Sequence, residues 1–554
     1  MVTGIGLKSS SFAISKTHLA KRSKIFFIDA SYFSSKKMPL PKAGSSNKRA
    51  SRSIIPRRYI VAVLCFFSFM VLNMQRLNLS IALVAMVNSS STNLTLKEMM
   101  NRSECPTLWI ENDTSEPISL GGEFDWDSEV QGYTVSASFL GFVLTQTPGG
   151  RLSETLGAKQ ILVFSVICAS LCNLISPCAA AWNVYVLMSA QFVKGLAQGL
   201  VSPAVSCLMA KWYPKLERGF LSSLSFSGYP AGAFIGGIVS GALCDSSLLG
   251  GWPSVFYVFG AWGLIVAVLL QLLIFNAPEE DANITEAEYK YILSHQESNN
   301  KENKMDIPWG RMFSSVSTWA LLAGMFGQYW MTFYFISVYP NYLATVLNFS
   351  VTQSGLISSA PYILQMLTMW FSSYFSDRML KKEYATVDNT RKICNTLSCA
   401  GFSLSLLCAS YAGCDITLNT VLFVIAMSCI GFGFPGSLTV PLDMTSEFAG
   451  TLMGMSCTIA STSGFIIPLV VGFITSQEQT IAQWHKILYI SAAVSIGSGV
   501  IFHIFGSAEL QTWSSSNDQA SAKEDESAEF RDERSSEVKP KDSIQTPQIY
   551  IIRL

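Results

Sequence analysis

The sequence predicts an all-α membrane protein with twelve transmembrane helices in two six-helix halves. Three observations carry this. Mean hydropathy is +0.34, and 49% of the 554 residues are hydrophobic against 14% charged, unlike a soluble domain. Mostly apolar stretches of about twenty residues or more, the length needed to cross a hydrocarbon core, recur along the chain. One long polar segment, residues 277–315, divides them six and six.

Residues 1–58 hold thirteen Lys/Arg and a single acid, Asp29, with many serines. They read as a basic, disordered cytosolic N-terminus; a transit peptide and an alternative start at Met38 remain open. The spans follow near 59–87, 128–149, 160–181, 183–211, 219–243 and 253–275, so the N-terminal half covers 59–276. After the cytosolic central loop come 316–346, 352–375, 392–411, 417–441, 449–474 and 485–506, a C-terminal half of 316–507. Only the Ala181–Trp182–Asn183 turn parts the third span from the fourth. The remainder, 508–554, is charged and serine-rich and reads as a disordered cytosolic tail.

Charge and sequons set the orientation. Arg57 and Arg58 precede the first span, whereas loop 88–127 carries two basic residues, Lys97 and Arg102, against eight acids. The same loop holds glycosylation sequons at Asn88, Asn93, Asn101 and Asn112, which places it outside the cytosol. Lys211, Lys215 and Arg218 after span four, and Arg378, Lys381, Lys382, Arg391 and Lys392 between spans eight and nine, agree. Both termini are thus expected in the cytosol, and the sequon at Asn283 is expected to stay unused. The thirteen cysteines form no metal-type CxxC pair; a Cys105–Cys244 disulfide is one option.

Within the spans, ionisable groups at mid-depth are Arg76 in span one and Lys194 in span four, with no carboxylate at comparable depth. Two cations without an acid are costly in a membrane unless an anion visits them, so the expected solute is anionic. Gln191, Lys194 and Gln198 share one helical face, and Gly195 and Gly199 permit close helix approach. Gln75, Asn73 and Asn78 surround Arg76, while Gln328, Tyr329 and Tyr334 on span seven offer further hydrogen bonds. Each of these polar groups also suits a plain helix–helix contact. His503 lies within the last span, towards its end. Zero net charge gives no reason to expect a nucleic-acid partner. No nucleophile–base pair or HExxH motif supports a membrane enzyme.

Two turns have a mechanical look. GGRLSETLGAK after span two brings Arg151, Glu154 and Lys159, and FSDRMLKK after span eight brings Asp377 and Arg378. Similar turns at similar positions in both halves suggest a parallel repeat with breakable inter-helix ion pairs, that is, cytosolic gates.

These features together resemble the major facilitator superfamily. RLNLSIALVAMVN (76–88), FDWDSEVQGY (124–133), LTQTPGGRL (144–152), KWYPKLERG (211–219), GWPSVFYVFGAWG (251–263) and LDMTSEFAGTLMG (442–454) are similar to its anion transporters. That family includes sialin, the vesicular glutamate transporters and the type I sodium–phosphate cotransporters. The resemblance implies a twelve-helix secondary transporter of a small organic or inorganic anion, phosphate or carboxylate, working by alternating access. It places Arg76 on the family's substrate-contacting arginine. Proton-coupled members carry an arginine, a glutamate and a histidine where this chain has Gln191, Gln198 and Ser206. Where the vesicular glutamate transporters have an arginine in span seven, this chain has Gln328; GLAQG and MTFY (331–334) resemble the phosphate branch. In span ten, LTV (438–440) replaces the family's asparagines.

The expectation is therefore a monomeric transporter whose anion is held by Arg76, Gln191, Lys194, Gln198, Gln328 and Tyr334. No cofactor is expected beyond co-transported sodium, with sodium or membrane potential as the driving force. The plasma membrane is the first expectation and a lysosomal or vesicular membrane the second. A proton-coupled vesicular carrier and an organellar phosphate carrier are the competing readings.

Overall fold

The computed structural model describes residues 55–87, 123–295, 307–339, 342–343, 346, 351–445, 447–475, 480–511 and 513. Asn88, Asn93, Asn101, Asn112 and Cys105 lie outside the described residues, as do both terminal segments.

Pro56 precedes α1 (Arg57–Met86), where a missing backbone N–H costs no helical bond. Helices α2 (Ser128–Leu156) and α3 (Ala158–Trp182) are separated by Gly157 alone. Its φ of 104° is backbone that a side chain would strain, which explains the glycine of the first turn motif. Asn183 caps α4 (Val184–Gly199), accepting from Tyr185 N at 2.9 Å, so the span-three/span-four turn is as short as expected.

Several spans are broken rods. The fourth continues after Leu200 as α5 (Val201–Trp212), because Pro203 cannot donate to the Gly199 carbonyl. The fifth runs as α6 (Arg218–Phe226) and α7 (Gly228–Asp245), with Pro230 playing the same part. The sixth is α8 (Pro253–Leu273). Residues 277–315, read as a polar loop, contain α9 (Glu286–Ser294) and the single turn α10 (Trp309–Ser314). The local cause is a T-x-x-E capping signal, Thr285 accepting from Glu288 N at 3.3 Å, ahead of buried Ile292.

The second half comprises α11 (Val316–Ser337), α12 (Val351–Lys381), α13 (Val387–Tyr411) and α14 (Ile416–Ile430). Span ten leaves helical geometry in GFGFPGSL, where Gly436 has ψ −123°, and resumes as α15 (Val440–Met444). Span eleven is α16 (Ala449–Ser461) and α17 (Ser463–Thr475), interrupted at Thr462, where Thr462 and Ser463 hydroxyls bond back to their own helix. The last is α18 (Ile481–Phe505).

Among the described residues, eight rods are long and apolar enough to cross a membrane on their own. The four that fall short, α2, α6/α7, α11 and α12, carry many of the polar residues facing the junction of the halves. The same pairings occur in both halves. α1 packs on α7 and α8, and α3 on α4 and α8; α11 packs on α16 and α18, and α13 on α14 and α18. The halves meet along α2–α16 and along α12 with α6 and α7. Gly195 and Gly199 permit the tight α2–α4 contact: a Cβ on Gly195 would overlap the Ser138 carbonyl oxygen, and one on Gly199 that of Phe142.

Cys244 is a free thiol, so the Cys105–Cys244 pairing is not formed. Cys414, in the turn between α13 and α14, is disulfide-bonded instead. The orientation expected from charge puts that turn outside the cytosol, where such a bond would persist.

Candidate functional site

A central cavity lies where the halves meet. Its walls come from α1 (Asn73, Arg76), α2 (Phe142), α6 and α7 (Phe226, Tyr229), α11 (Gln328 to Ile336), α12 (Tyr362, Gln365) and the broken span ten (Phe434, Leu438). The half-buried guanidinium of Arg76 lies over Phe142 at 4.0 Å and near Phe139 at 5.5 Å. Its Nη2 is buried without a hydrogen-bond partner. Among the described residues Arg76 is the one charged residue lining the cavity. A ring face orients the cation without neutralising it, which leaves its charge available to an anion.

Of the other expected substrate residues, only Gln328 lines this cavity. Its Nε2 donates to Asn395 Oδ1 (3.1 Å) and Ser398 Oγ (3.2 Å), tying α11 to α13. Lys194 is buried behind α1, its Nζ donating to the Gln75 carbonyl at 2.9 Å. Gln191 donates to Ser176 Oγ at 3.1 Å and Gln198 to the Leu72 carbonyl at 3.4 Å. Tyr334 packs against Phe335 and Phe402 in the second-half core, its hydroxyl buried and unpartnered. Gln75 and Asn78 bind Ser170 and Asn173 on α3. His503 is exposed, bonded to Thr396 Oγ1 at 3.2 Å.

The ends of the halves that the charge pattern assigns to the cytosol are fastened together twice, in matching fashion. Glu154 of α2 accepts from the backbone N and the hydroxyl of Thr451, both at 2.7 Å, at the third residue of α16. Asp377 of α12 accepts from Phe220 N at 2.7 Å, at the third residue of α6. Each carboxylate meets the positive end of a helix in the opposite half. Hydroxyl and amide pairs continue both seams: Thr147–Thr458 at 2.8 Å and Gln146–Ser461 at 3.2 Å on one side. On the other, Ser223 bonds Ser373, and Trp370 donates to Ser227 at 3.0 Å. Backbones touch here, since a Cβ on Gly150 would overlap the Gly450 carbonyl oxygen.

Arg151 pairs with Glu154 at 3.9 Å. Lys159 lies over Phe275 at 5.0 Å within its own half, and Arg378 is exposed, donating to the Tyr374 hydroxyl.

Sequence reasoning missed the strongest link. Asp443 accepts from Arg218 Nη1 at 3.0 Å across the halves and from Arg391 Nε at 2.9 Å, all three largely buried. Arg218 also donates to the Leu442 carbonyl and Arg391 to that of Pro435. Both arginines read as ordinary positive-inside flanks; the signal was an acid in the cytosolic LDMTSEFAG stretch facing two such flanks. Glu217 adds an outer link, joining Arg58 (2.9 Å), Lys381 (3.2 Å) and the Tyr291 hydroxyl. Burial alone would raise its pKa, but Arg58 and Lys381 outweigh it and hold the carboxyl below the usual 4.5.

With cavity and closure in place, the sequence matches the Major Facilitator Superfamily profile over residues 79–468. The chain belongs to the Major Facilitator Superfamily. Within it, human sialin is 30% identical over 475 residues, covering 85% of this chain and 93% of sialin. A putative inorganic phosphate cotransporter of Drosophila melanogaster is 32% identical over 464 residues, 83% of this chain and 87% of that protein. Mouse sodium-dependent phosphate transport protein 1 is 29% identical over 456 residues, 82% and 95% respectively. Among solved structures, the proton:xylose symporter XylE bound to 6-bromo-6-deoxy-D-glucose superposes with a TM-score of 0.61 at 13% identity, covering 82% of this chain and 98% of XylE. At that identity the likeness speaks for the fold. This superfamily member is a multi-pass membrane transporter of the anion-carrying branch, and not an enzyme.

Proposed function

We propose that the chain carries a small anion across the membrane by alternating access, with Arg76 as the anchoring cation in the central cavity. The supporting observation is its buried, unpartnered Nη2 in a cavity lined by no carboxylate. An uncompensated guanidinium in a low-dielectric site is favourable only when an anion shares the site. Several relatives are named for phosphate transport, so phosphate and organic acid anions are the classes to test. Lys194 and Gln198 act from behind α1, the lysine adding positive field and both holding the helix; Gln191 ties α4 to α3, while Gln328 braces the opposite wall. Asp443, Glu154, Asp377 and their partners form the cytosolic gate, closed in this conformation. One chain supplies both cavity walls, so the monomer is the transporting unit. Sodium or membrane potential drives the cycle.

The test is uptake into proteoliposomes of labelled phosphate, sialate, glutamate and urate, with sodium, proton and voltage gradients imposed separately. Absence of any protein-dependent anion flux would overturn the proposal.

A further inference from the structure

We infer that the transported anion is a monocarboxylate with an apolar, ring-sized body, rather than inorganic phosphate or a polyhydroxylated sugar acid. This inference rests on the reading of the central cavity as the anion site.

Charge comes first. Among the described residues Arg76 is the single charged side chain lining the cavity, while Lys194, donating to the Gln75 carbonyl, keeps its charge behind α1 and does not reach the solute. One cation in contact pairs directly with one carboxylate; the second charge of a phosphate dianion would meet only the remote field of Lys194 and no paired donor.

Hydrogen-bond supply comes second. Most polar side chains in the cavity wall already have partners. Asn73 Nδ2 donates to the Tyr229 carbonyl at 2.7 Å, and Gln328 Nε2 to both Asn395 and Ser398. Thr332 Oγ1 donates to the Gln328 carbonyl at 2.9 Å, and the Tyr329 hydroxyl is paired with Cys457 Sγ at 3.2 Å. Arg76 Nη2 is the cavity donor that is buried with no partner at all. The Tyr362 hydroxyl and Gln365 carboxamide on α12 add neutral donors on the opposite wall, but a tetrahedral oxyanion or a polyol would give up water on every side and regain bonds at these few points alone. A carboxylate presents both its oxygens at one end and needs donors only there.

The remaining wall is apolar. Phe142 lies under the guanidinium, Phe333 and Leu438 face it from the second half, and Phe226 and Phe434 meet with ring centroids 5.9 Å apart. Such surfaces reward a flat apolar body, by area and by ring-edge contact.

The experiment reconstitutes the full chain in proteoliposomes and measures entrance counterflow of labelled benzoate, phosphate and gluconate against protein-free vesicles. Benzoate is expected to exchange at least about tenfold faster than either competitor, since unreplaced hydrogen bonds discriminate strongly in a dry site. Arg76→Gln should abolish that exchange. Leu438→Asn, which places a carboxamide in the apolar wall, should move the benzoate-to-gluconate ratio towards gluconate by about tenfold. Phosphate or gluconate exchange equal to or faster than benzoate would overturn the substrate class and leave anion transport standing. Failure of all three to exchange in folded protein would also overturn the substrate class; anion transport itself falls only if sialate, glutamate and urate show no protein-dependent flux either.

Discussion

Arg76 is held by rings rather than by an acid, and that choice has consequences for substitution. Guanidinium keeps its charge while lying flat on Phe142 at 4.0 Å, and its fork pairs with both oxygens of a carboxylate. Lysine retains the charge but neither stacks flat nor binds bidentately. Arg76→Lys should therefore lower uptake about ten- to hundredfold, the worth of one or two hydrogen bonds to a charged group, with normal surface expression. Uptake at the wild-type rate would show that the arginine does not grip the solute. Lys194 calls for a different outcome. Its ammonium touches the Gln75 carbonyl, one residue from Arg76, and does not reach the cavity. Lys194→Met keeps the volume and removes a buried charge, which is often neutral for folding. The variant should reach the membrane, and its KM for the anion should rise because positive field behind Arg76 is lost; an unchanged KM would confine Lys194 to packing. That both cations sit inside long apolar helices was legible in the sequence, because position along an apolar span is a local property. Which neighbour each one faces was not: a helical stripe fixes which residues share a face, not what lies opposite.

At the scale of elements, the closed side of the bundle, the one expected to face the cytosol, rests on helix ends. Glu154 and Asp377 each bind the third residue of a helix in the other half, and Asp443 holds Arg218 and Arg391 together. Replacing one partner of such a buried set leaves uncompensated charge, at about 3–5 kcal/mol. Asp443→Asn should thus release the seam, and Glu154→Gln should weaken it less, since an amide oxygen still accepts from Thr451. Cys207 offers a built-in reporter: it is buried in the α2–α16 seam, where a Cβ on Gly450 would overlap its sulfur. Maleimide labelling of Cys207 from the cytosolic side, followed by mass spectrometry, should accelerate in Asp443→Asn; wild-type labelling rates would show that this ion triad does not close the gate. Glu217 has a depressed pKa, so its link to Lys381 is present above pH 4.5 and fades as pH falls further. The helices themselves were legible from apolar length, and the breaks at Leu200 and Ser227 follow from Pro203 and Pro230. The gate was only half legible. Asp377 and Glu154 were found through their repeated turns, but Arg218 and Asp443 are 225 residues apart and meet only in the folded bundle.

For the whole molecule the open question is what drives the cycle, and the bundle's inventory of titratable groups bears on it. Proton coupling needs a group that gains and loses a proton within the pathway, and buried carboxylates serve because burial raises their pKa towards neutrality. Among the described residues no Asp or Glu lines the central cavity. Gln198 and Ser206, the positions where the family resemblance implies titrating groups in proton-coupled members, are both buried and hydrogen-bonded, to the Leu72 and Ser202 carbonyls. The acids at the cytosolic seam are engaged in holding it shut. Sodium requires only oxygen ligands, and an anion crossing with a potential requires no ligand at all. Wild-type uptake should accordingly respond to sodium or to voltage and stay flat when only the proton gradient is changed. Gln198→Glu is the informative variant. It returns a carboxylate to the buried face one helical turn from Lys194, where its charge alternates with protonation. Uptake by that variant should acquire a dependence on pH that the parent lacks, measured at zero voltage with sodium absent and present. Strong stimulation of wild-type uptake by an inward proton gradient alone would overturn this assignment, and point instead to a titrating group other than a cavity carboxylate.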